Sequence, residues 1–200
     1  MSAPHAEYLA ARPFSCVEVL ARPCPVPAVS GVYGWWFDVL PSEVMDSSRC
    51  ETQDGLTLLY AGISPRAPST RTNPQTIRDR IKNHFDGTAS TSTLRLSLGC
   101  LLAAELDIGL QLRRPRTAAT SAPAKKPRRD FGAGEQVLSA WMAEHAFVSW
   151  IEDPEPWVRE GELIKGLDLP LNLQGNRSNP FYPELKRARA ELTARAPLPR

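Results

Sequence analysis

Four side chains suited to ionic and proton-transfer chemistry lie in the first half of this 200-residue sequence. Arg80 and His84 are four residues apart in a segment of helical periodicity, which places them side by side on one helix. Tyr60 lies in the apolar run before this helix, and Tyr33 lies in an earlier apolar run. A guanidinium offers five donors in a planar fork that fits a phosphate. A tyrosine has a pKa near ~10, so it needs a nearby cation to act as a base at neutral pH.

Two predicted strands position the tyrosines. Residues 30–40 and 58–64 are short apolar runs, which favour strands. Alternation puts Tyr33 and Trp35 on one face of the first strand and Trp36 on the other. Because both faces are apolar, we expect both to be covered, with the tryptophans as core residues. The polar stretch between the two runs predicts a long loop that joins antiparallel strands.

The helix that carries Arg80 and His84 has a recognisable start and end in the sequence. Asn73 is a good N-cap and Pro74 suits the first helical position, so the helix is predicted to begin there. Gly87 lies where a helix would end. Between these limits, four-residue spacing predicts an apolar buried face that consists of Ile77, Ile81 and Phe85.

The rest of the chain contains further periodic segments. Residues 14–20 predict a short strand or a short helix, and residues 147–151 predict a third strand. Further helices are predicted at residues 94–102, 135–145 and 183–195. Another helix carries Glu160; Asp153, Pro154 and Pro156 open it, and Gly166 closes it.

Several of these pieces together resemble the GIY-YIG nuclease family. Gly31-Val32-Tyr33 is similar to the first motif of the family, and Tyr60-Ala61-Gly62 is similar to the second. Residues 80–85 resemble the catalytic helix of the family. Residues 160–165 resemble its metal-binding helix, and Asn172 resembles the asparagine that follows that helix. The resemblance covers residues 30–176, which is most of the chain.

The resemblance implies an α+β fold with a small central antiparallel sheet of about three strands, flanked by helices. It implies an enzyme, an endonuclease or nickase that hydrolyses DNA phosphodiester bonds with a divalent metal ion, Mg²⁺ or Mn²⁺. The expected partner is DNA, and no organic cofactor is expected. The alternative is a nucleic-acid-binding or scaffold module that retains the fold without catalysis.

The resemblance also implies roles for six residues. Tyr33 would activate or position the attacking water, and Arg80 would bind the scissile phosphate. Glu160 would hold the metal ion. The remaining three would support these groups: Tyr60 in a hydrogen-bond relay, His84 as a second donor or as the orienter of a tyrosine, and Asn172 as an anchor for the phosphate or the helix end.

Helical geometry favours Glu160 over its two acidic neighbours as the metal ligand. At about 100° per residue, Glu160 lies in the middle of an apolar stripe. Glu162 projects to the opposite side, and Glu155 lies at the start of the helix. A carboxylate on a buried stripe is costly unless a cation compensates its charge. A salt bridge between Glu160 and Arg80, without metal, is the alternative.

A basic segment interrupts the predicted domain. Residues 113–129 contain seven basic residues and no acidic residue, and this composition cannot bury enough apolar area to fold alone, so a mobile loop is predicted. It would contact phosphates, or it would be a solvated linker. The candidate nucleic-acid-binding residues are Lys82, Arg113, Arg114, Arg116, Lys125, Lys126, Arg128 and Arg129.

Length and composition predict one domain with short additions. The expected limits are a lead-in at residues 1–29, the domain at 30–176 with the basic insertion at 112–134, and a C-terminal helix at 177–200. The net charge of +2 is too small to indicate nucleic-acid binding by itself. The four cysteines lack metal-ligand spacing, and no run is long enough to span a bilayer, so we expect a cytoplasmic protein that does not contact membranes.

Overall fold

The structure is a computed structural model and describes residues 3–68, 72–113 and 128–197. Within these residues the chain forms seven helices and seven strands. The helices are α1 (Ala3–Ala10), α2 (Cys16–Leu20), α3 (Ile77–Asp86), α4 (Thr93–Leu101), α5 (Gly134–His145), α6 (Pro156–Gly166) and α7 (Tyr182–Arg195). The strands are β1 (Phe14–Ser15), β2 (Gly31–Phe37), β3 (Thr52–Gln53), β4 (Leu56–Ser64), β5 (Gln111–Arg113), β6 (Arg128–Asp130) and β7 (Ala146–Glu152).

The central sheet is antiparallel and has the order β1-β7-β2-β4-β3. The α+β class and the flanking helices are therefore confirmed, but the prediction of about three strands is wrong, because five are present. The two additional strands, β1 and β3, have two residues each. Two residues are too few to show the alternation of apolar and polar residues that predicts a strand. As a result β3 fell inside the predicted loop, and β1 fell inside a segment predicted as either strand or helix.

The middle strand β2 is buried along its whole length and separates two hydrophobic cores. Tyr33 and Trp35 belong to one core, which also contains residues of α3, α4, α5 and α7. Trp36 belongs to the other core, which contains Tyr8 of α1 and Leu163 of α6. The predicted division of β2 into two covered faces is confirmed.

Helix α3 begins later than predicted. Its N-cap is Thr76, not Asn73, and the Thr76 hydroxyl accepts a hydrogen bond from the Asp79 amide. The Asp79 carboxylate accepts in return from the Thr76 amide, so the pair forms a capping box. This reciprocal arrangement satisfies more backbone groups than Asn73 followed by proline could. The predicted end at Gly87 is confirmed, since the Gly87 amide donates to the Asn83 carbonyl.

A buried ion pair joins α3, α4 and α5. Arg95 of α4 is 0% exposed and pairs with Glu135 of α5 at 2.7 Å. Its Nη1 group also donates to the carbonyl oxygens of His84 and Phe85, the last buried residues of α3. The sequence analysis did not predict this pair, which fixes the carboxyl end of α3.

The predicted basic loop begins and ends in strands. Strands β5 and β6 pair with each other, and Arg113 forms an ion pair with Asp130 at 2.7 Å. Four of the basic residues assigned to this loop, Arg114, Arg116, Lys125 and Lys126, lie outside the described residues. None of the helices in the described ranges has the length and apolar character needed to cross a membrane.

Candidate active site

The pairing of β2 with β4 brings the two tyrosine motifs together. Tyr33 lies opposite Gly62, and Trp35 lies opposite Tyr60. A Cβ atom on Gly62 would come within 2.5 Å of the Tyr33 hydroxyl and ring. Glycine is therefore required opposite Tyr33, because any side chain there would displace the phenol.

Helix α3 places Arg80 and His84 against the same face of the sheet. Both side chains are buried on the inner side of the helix, next to Ile77 and Ile81. The His84 ring lies 5.4 Å from the Tyr33 ring, centroid to centroid. The structure thus brings Tyr33, Tyr60 and His84 into one cluster, with the Tyr60 and His84 ring centroids 6.2 Å apart.

His84 connects Tyr33 to the start of α4. Its Nε2 lies 3.0 Å from the Tyr33 hydroxyl, and its Nδ1 lies 2.7 Å from Ser92 Oγ. Ser92 is the N-cap of α4, and its Oγ also accepts a hydrogen bond from the Arg95 amide. Burial lowers the pKa of His84 well below its ordinary value, and the positive charge of Arg80 lowers it further. His84 is therefore neutral at pH 7, with one protonated ring nitrogen.

The Tyr33 phenol is also neutral. Burial raises the pKa of Tyr33 above its usual value, and Tyr60 raises it further, while the nearby guanidinium of Arg80 acts in the opposite direction. The arginine alone does not convert Tyr33 to a phenolate, so deprotonation requires a proton acceptor. His84 Nε2 is the nearest such group found in the described residues.

The guanidinium of Arg80 offers more hydrogen-bond donors than the described residues accept. It is 6% exposed, and its Nη1 donates to the Thr91 carbonyl at 2.7 Å. In the part of the chain that is described, its Nε and Nη2 atoms are buried without any hydrogen-bond partner. Leaving buried donors of a charged group unpaired is costly, so the site favours an anionic ligand at Arg80.

A cleft of about 520 Å³ opens beside the two tyrosines. Tyr33, Tyr60 and Glu160 line it, whereas Arg80 and His84, which were predicted to belong to the same site, are not among its lining residues. Three arginines that the sequence analysis missed also line it: Arg66, Arg177 and Arg189. Arg66 follows β4, Arg177 lies between α6 and α7, and Arg189 lies on α7, so no motif spacing connects them.

Glu160 of α6 faces the cleft, unlike its acidic neighbours. Burial raises the pKa of Glu160, and the charge of Arg66 partly offsets this effect. Glu155 and Glu162 are exposed. Within the described ranges no basic side chain forms an ion pair with Glu160, so the alternative of a Glu160–Arg80 salt bridge is not observed.

One partly buried carboxylate fits a hard divalent cation that takes most of its ligands from water and substrate, as Mg²⁺ commonly does. The described residues contain no group of three or more His, Cys, Asp or Glu side chains that could hold a metal ion by themselves. The donor set at the cleft is therefore compatible with a single weakly held ion and not with a closed protein cage.

Asn172 lines the cleft, but its amide is already engaged. Its Nδ2 donates to the Ala61 carbonyl at 2.8 Å, and its Oδ1 accepts from the Ala61 amide at 2.9 Å. The Leu171 amide donates to the Leu59 carbonyl in the same way. Asn172 thus fixes the loop after α6 against the outer side of β4.

The predicted nucleic-acid-binding residues that the structure describes lie on separate elements, α3, β5 and β6. Lys82 is partly exposed on α3, and Arg113 is occupied by Asp130. Arg128 and Arg129 lie on β6, where Arg129 borders α7. Ser92 is the other site residue that sequence reasoning missed, although a serine just before a helical segment is a recognisable N-cap signal.

Comparison with known proteins was made by family, by characterised protein and by solved structure. The model of the GIY-YIG catalytic domain matches residues 31–191. No characterised protein and no solved structure gave a match. The family match extends from β2 into α7 and includes Tyr33, Tyr60 and Glu160 of the cleft. Since it spans most of the sequence, the chain belongs to the GIY-YIG catalytic domain family.

Proposed function

We propose that this protein hydrolyses DNA phosphodiester bonds, as an endonuclease or nickase, in the cleft beside Tyr33 and Tyr60. Membership in the GIY-YIG family supports nuclease activity in general. The observation that carries the proposal is the buried Arg80 guanidinium beside Tyr33, with Nε and Nη2 lacking hydrogen-bond partners among the described residues. Two adjacent N–H donors on a planar cation match two oxygens of a phosphate.

Arg80 binds the scissile phosphate in this proposal. Its third nitrogen, Nη1, is held by the Thr91 carbonyl, which fixes the plane of the fork before substrate arrives. A donor group that is fixed in advance stabilises charge on the phosphoryl oxygens without reorganising during the reaction. The same phosphate offsets the positive charge that lowers the pKa of His84.

Tyr33 and His84 act together on the attacking water. With Nδ1–H donating to Ser92 Oγ, His84 Nε2 is free to accept the proton of the Tyr33 hydroxyl. The Tyr33 oxygen then accepts a proton from water as its own proton moves to His84. This relay supplies the acceptor that a neutral, buried tyrosine requires, and bound phosphate strengthens it by raising the pKa of His84.

Glu160 is the residue that would hold a divalent cation, Mg²⁺ or Mn²⁺. When bound, such an ion offsets negative charge on the phosphoryl oxygens. Burial raises the pKa of Glu160, so binding a cation removes the cost of its negative charge.

Tyr60 and Asn172 support the site. The Tyr60 hydroxyl lies 3.4 Å from Thr93 Oγ1 and lines the cleft, where it can bind water or phosphate. Asn172 is a positioning residue, because it holds the cleft wall to Ala61, the middle residue of the second tyrosine motif.

Supercoiled plasmid tests the proposal directly. Purified protein is incubated with plasmid and Mg²⁺, and nicked and linear forms are counted for wild type, Glu160→Gln and Glu162→Gln. We expect wild-type nicking, at least a ~100-fold loss in Glu160→Gln, and little change in Glu162→Gln. The two variants carry the same chemical change on opposite sides of α6, about 200° apart around the helix, so the second controls for net charge.

Three results would contradict parts of this proposal. Full nicking by Glu160→Gln would show that Glu160 is not part of the active site. Loss of nicking in Glu162→Gln would mean that the opposite face of α6 lies toward the cleft. Binding of DNA by wild type without any nicking would favour the non-catalytic module instead.

A further inference from the structure

A second groove runs along α7 and joins the active cleft. It encloses about 490 Å³ and presents three basic residues, Arg129 of β6 with Lys186 and Arg189 of α7. Its floor is formed by small or apolar side chains: Leu173, Ala190, Thr193 and Ala194. Arg189 and Leu173 line both the groove and the cleft, so the two spaces are adjacent.

The positive charge of the groove is not neutralised by neighbouring carboxylates. The two acidic residues of α7, Glu184 and Glu191, both pair with Arg187 on another face of the helix. Asp130, next to Arg129, pairs with Arg113. Among the described residues no carboxylate pairs with Arg129, Lys186 or Arg189, and the sequence of residues 114–127 contains no Asp or Glu.

Arg189 lies at the junction of groove and cleft with only a neutral partner. Its Nη1 is 3.4 Å from Ser97 Oγ, a long contact for a charged donor. Burial lowers the pKa of Arg189, and the nearby Arg129 contributes in the same direction. A partly buried guanidinium beside a second one, without a carboxylate, is stabilised when an anion arrives.

We propose that the α7 groove binds the phosphodiester backbone of duplex DNA next to the bond that is cleaved, with Arg189 and Lys186 on successive phosphates. This inference rests on the proposed nuclease function. The position of Arg189 supports it, because a strand bound in the cleft can continue past this shared residue into the groove. The small residues of the floor allow a backbone to approach closely. Among the described residues the groove is lined by no aromatic ring and no amide side chain, so we expect it to contact phosphates without reading sequence.

Salt dependence of DNA binding tests the groove. A fluorescent duplex is titrated with protein in a Glu160→Gln background, which prevents cleavage, at several salt concentrations. Each lost phosphate contact should reduce the slope of log K against log salt by about 0.9. We expect this reduction, with roughly tenfold weaker binding at low salt, for Arg189→Gln and for Lys186→Gln.

Arg187→Gln is the matched control. It removes the same charge from the same helix but faces Glu184 and Glu191 instead of the groove. Its slope should be unchanged, whereas a long-range charge effect would weaken all three variants equally. Lys186 is exposed, so its variant should keep the fold even where a change at Arg189 alters packing.

The outcomes separate this inference from the proposed function. Unchanged salt slopes in Arg189→Gln and Lys186→Gln would contradict the proposal that the groove binds DNA, even if wild type nicks plasmid and Glu160→Gln does not. Equal losses in Arg187→Gln would overturn it as well. Failure of wild type to nick would count against the proposed function, while reduced slopes specific to the two groove variants would still support the groove as a DNA surface.

Discussion

Two buried arginines on neighbouring helices have opposite surroundings. Arg95 uses all three nitrogens, in bonds to Glu135, to backbone carbonyls and to Ser139. Arg80 is also buried, yet two of its three nitrogens have no hydrogen-bond partner among the described residues. The first cluster is complete within the protein, whereas the second leaves two donors of Arg80 that we propose a phosphate occupies.

The difference teaches how to distinguish a structural charge from a binding charge. Burial alone does not distinguish the two kinds of charge, since Arg80 and Arg95 are both nearly inaccessible. Hydrogen-bond pairing does distinguish them. A buried cation without partners lowers the stability of the protein, so it is not explained by a structural role. Ser92 lies between His84 and α4, since its Oγ contacts His84 and accepts from the Arg95 amide.

The largest expected effect is on stability, at Arg95. Changing Arg95 to Met leaves Glu135 buried without its charge partner and should lower the free energy of unfolding by about 3–5 kcal/mol. Urea denaturation followed by circular dichroism measures this. The double variant Arg95→Met/Glu135→Leu should recover part of the loss, and an undiminished loss would mean that packing, not charge pairing, explains the effect.

At Arg80 the expected loss is in activity. Arg80→Met should reduce plasmid nicking about 10²–10³-fold, because two phosphate donors are lost, while stability changes little. Initial nicking rates and urea denaturation of the same preparation check both statements. Arg80→Lys, which keeps the charge but not the planar fork, should remain strongly impaired. If Arg80→Met lowered the free energy of unfolding as much as Arg95→Met, the proposed difference between the two arginines would be wrong.

The pH dependence of stability should report on His84. Because burial and Arg80 lower the pKa of His84, the unfolded state binds more protons than the folded state below about pH 6.5. Stability should therefore fall as the pH drops from 7.5 to 5.5. His84→Gln should lose less over this range, by about 1 kcal/mol, in urea titrations at each pH. Equal losses in both proteins would show that His84 is not held neutral.

The smallest expected effect is at Ser92, the residue between the two clusters. Ser92→Ala removes the hydroxyl at Nδ1 of His84 and should lower nicking by about tenfold, with about 1 kcal/mol lost from the α4 cap. Nitrogen-15 spectra of the His84 ring should show a changed tautomer balance in the alanine variant. Ser92→Thr keeps the hydroxyl and should restore both, so failure of that rescue would argue for a cap role alone.

Apolar periodicity was sufficient to place β2, β4 and α3, because these elements are long enough to show their period. Three of the residues singled out in the sequence, Tyr33, Tyr60 and Glu160, line the cleft, whereas Arg80 does not. The very short strands β1 and β3 escaped prediction, since two residues carry no pattern.

Residues that depend on long-range contacts were beyond sequence reasoning. The Arg95–Glu135 pair joins positions forty residues apart, and Arg189 reaches the cleft from the last helix. The start of α3 was misplaced because the Asn73-Pro74 signal competed with a better one at Thr76, whose partner Asp79 completes the cap. Local signals therefore rank candidate positions, and tertiary contacts decide between them.

The loop after α6 has a consequence for how molecules of this protein behave beside one another. An exposed outer strand offers free amide and carbonyl groups to an extended chain from another molecule, the first step of edge-to-edge aggregation. Beyond β3, the outer side of β4 is closed at Leu59 by the Leu171 amide and at Ala61 by Asn172. The Asn172 side chain thus forms the hydrogen bonds that a neighbouring strand would form. We therefore expect this edge of β4, beside the cleft, not to pair with a second copy of the protein.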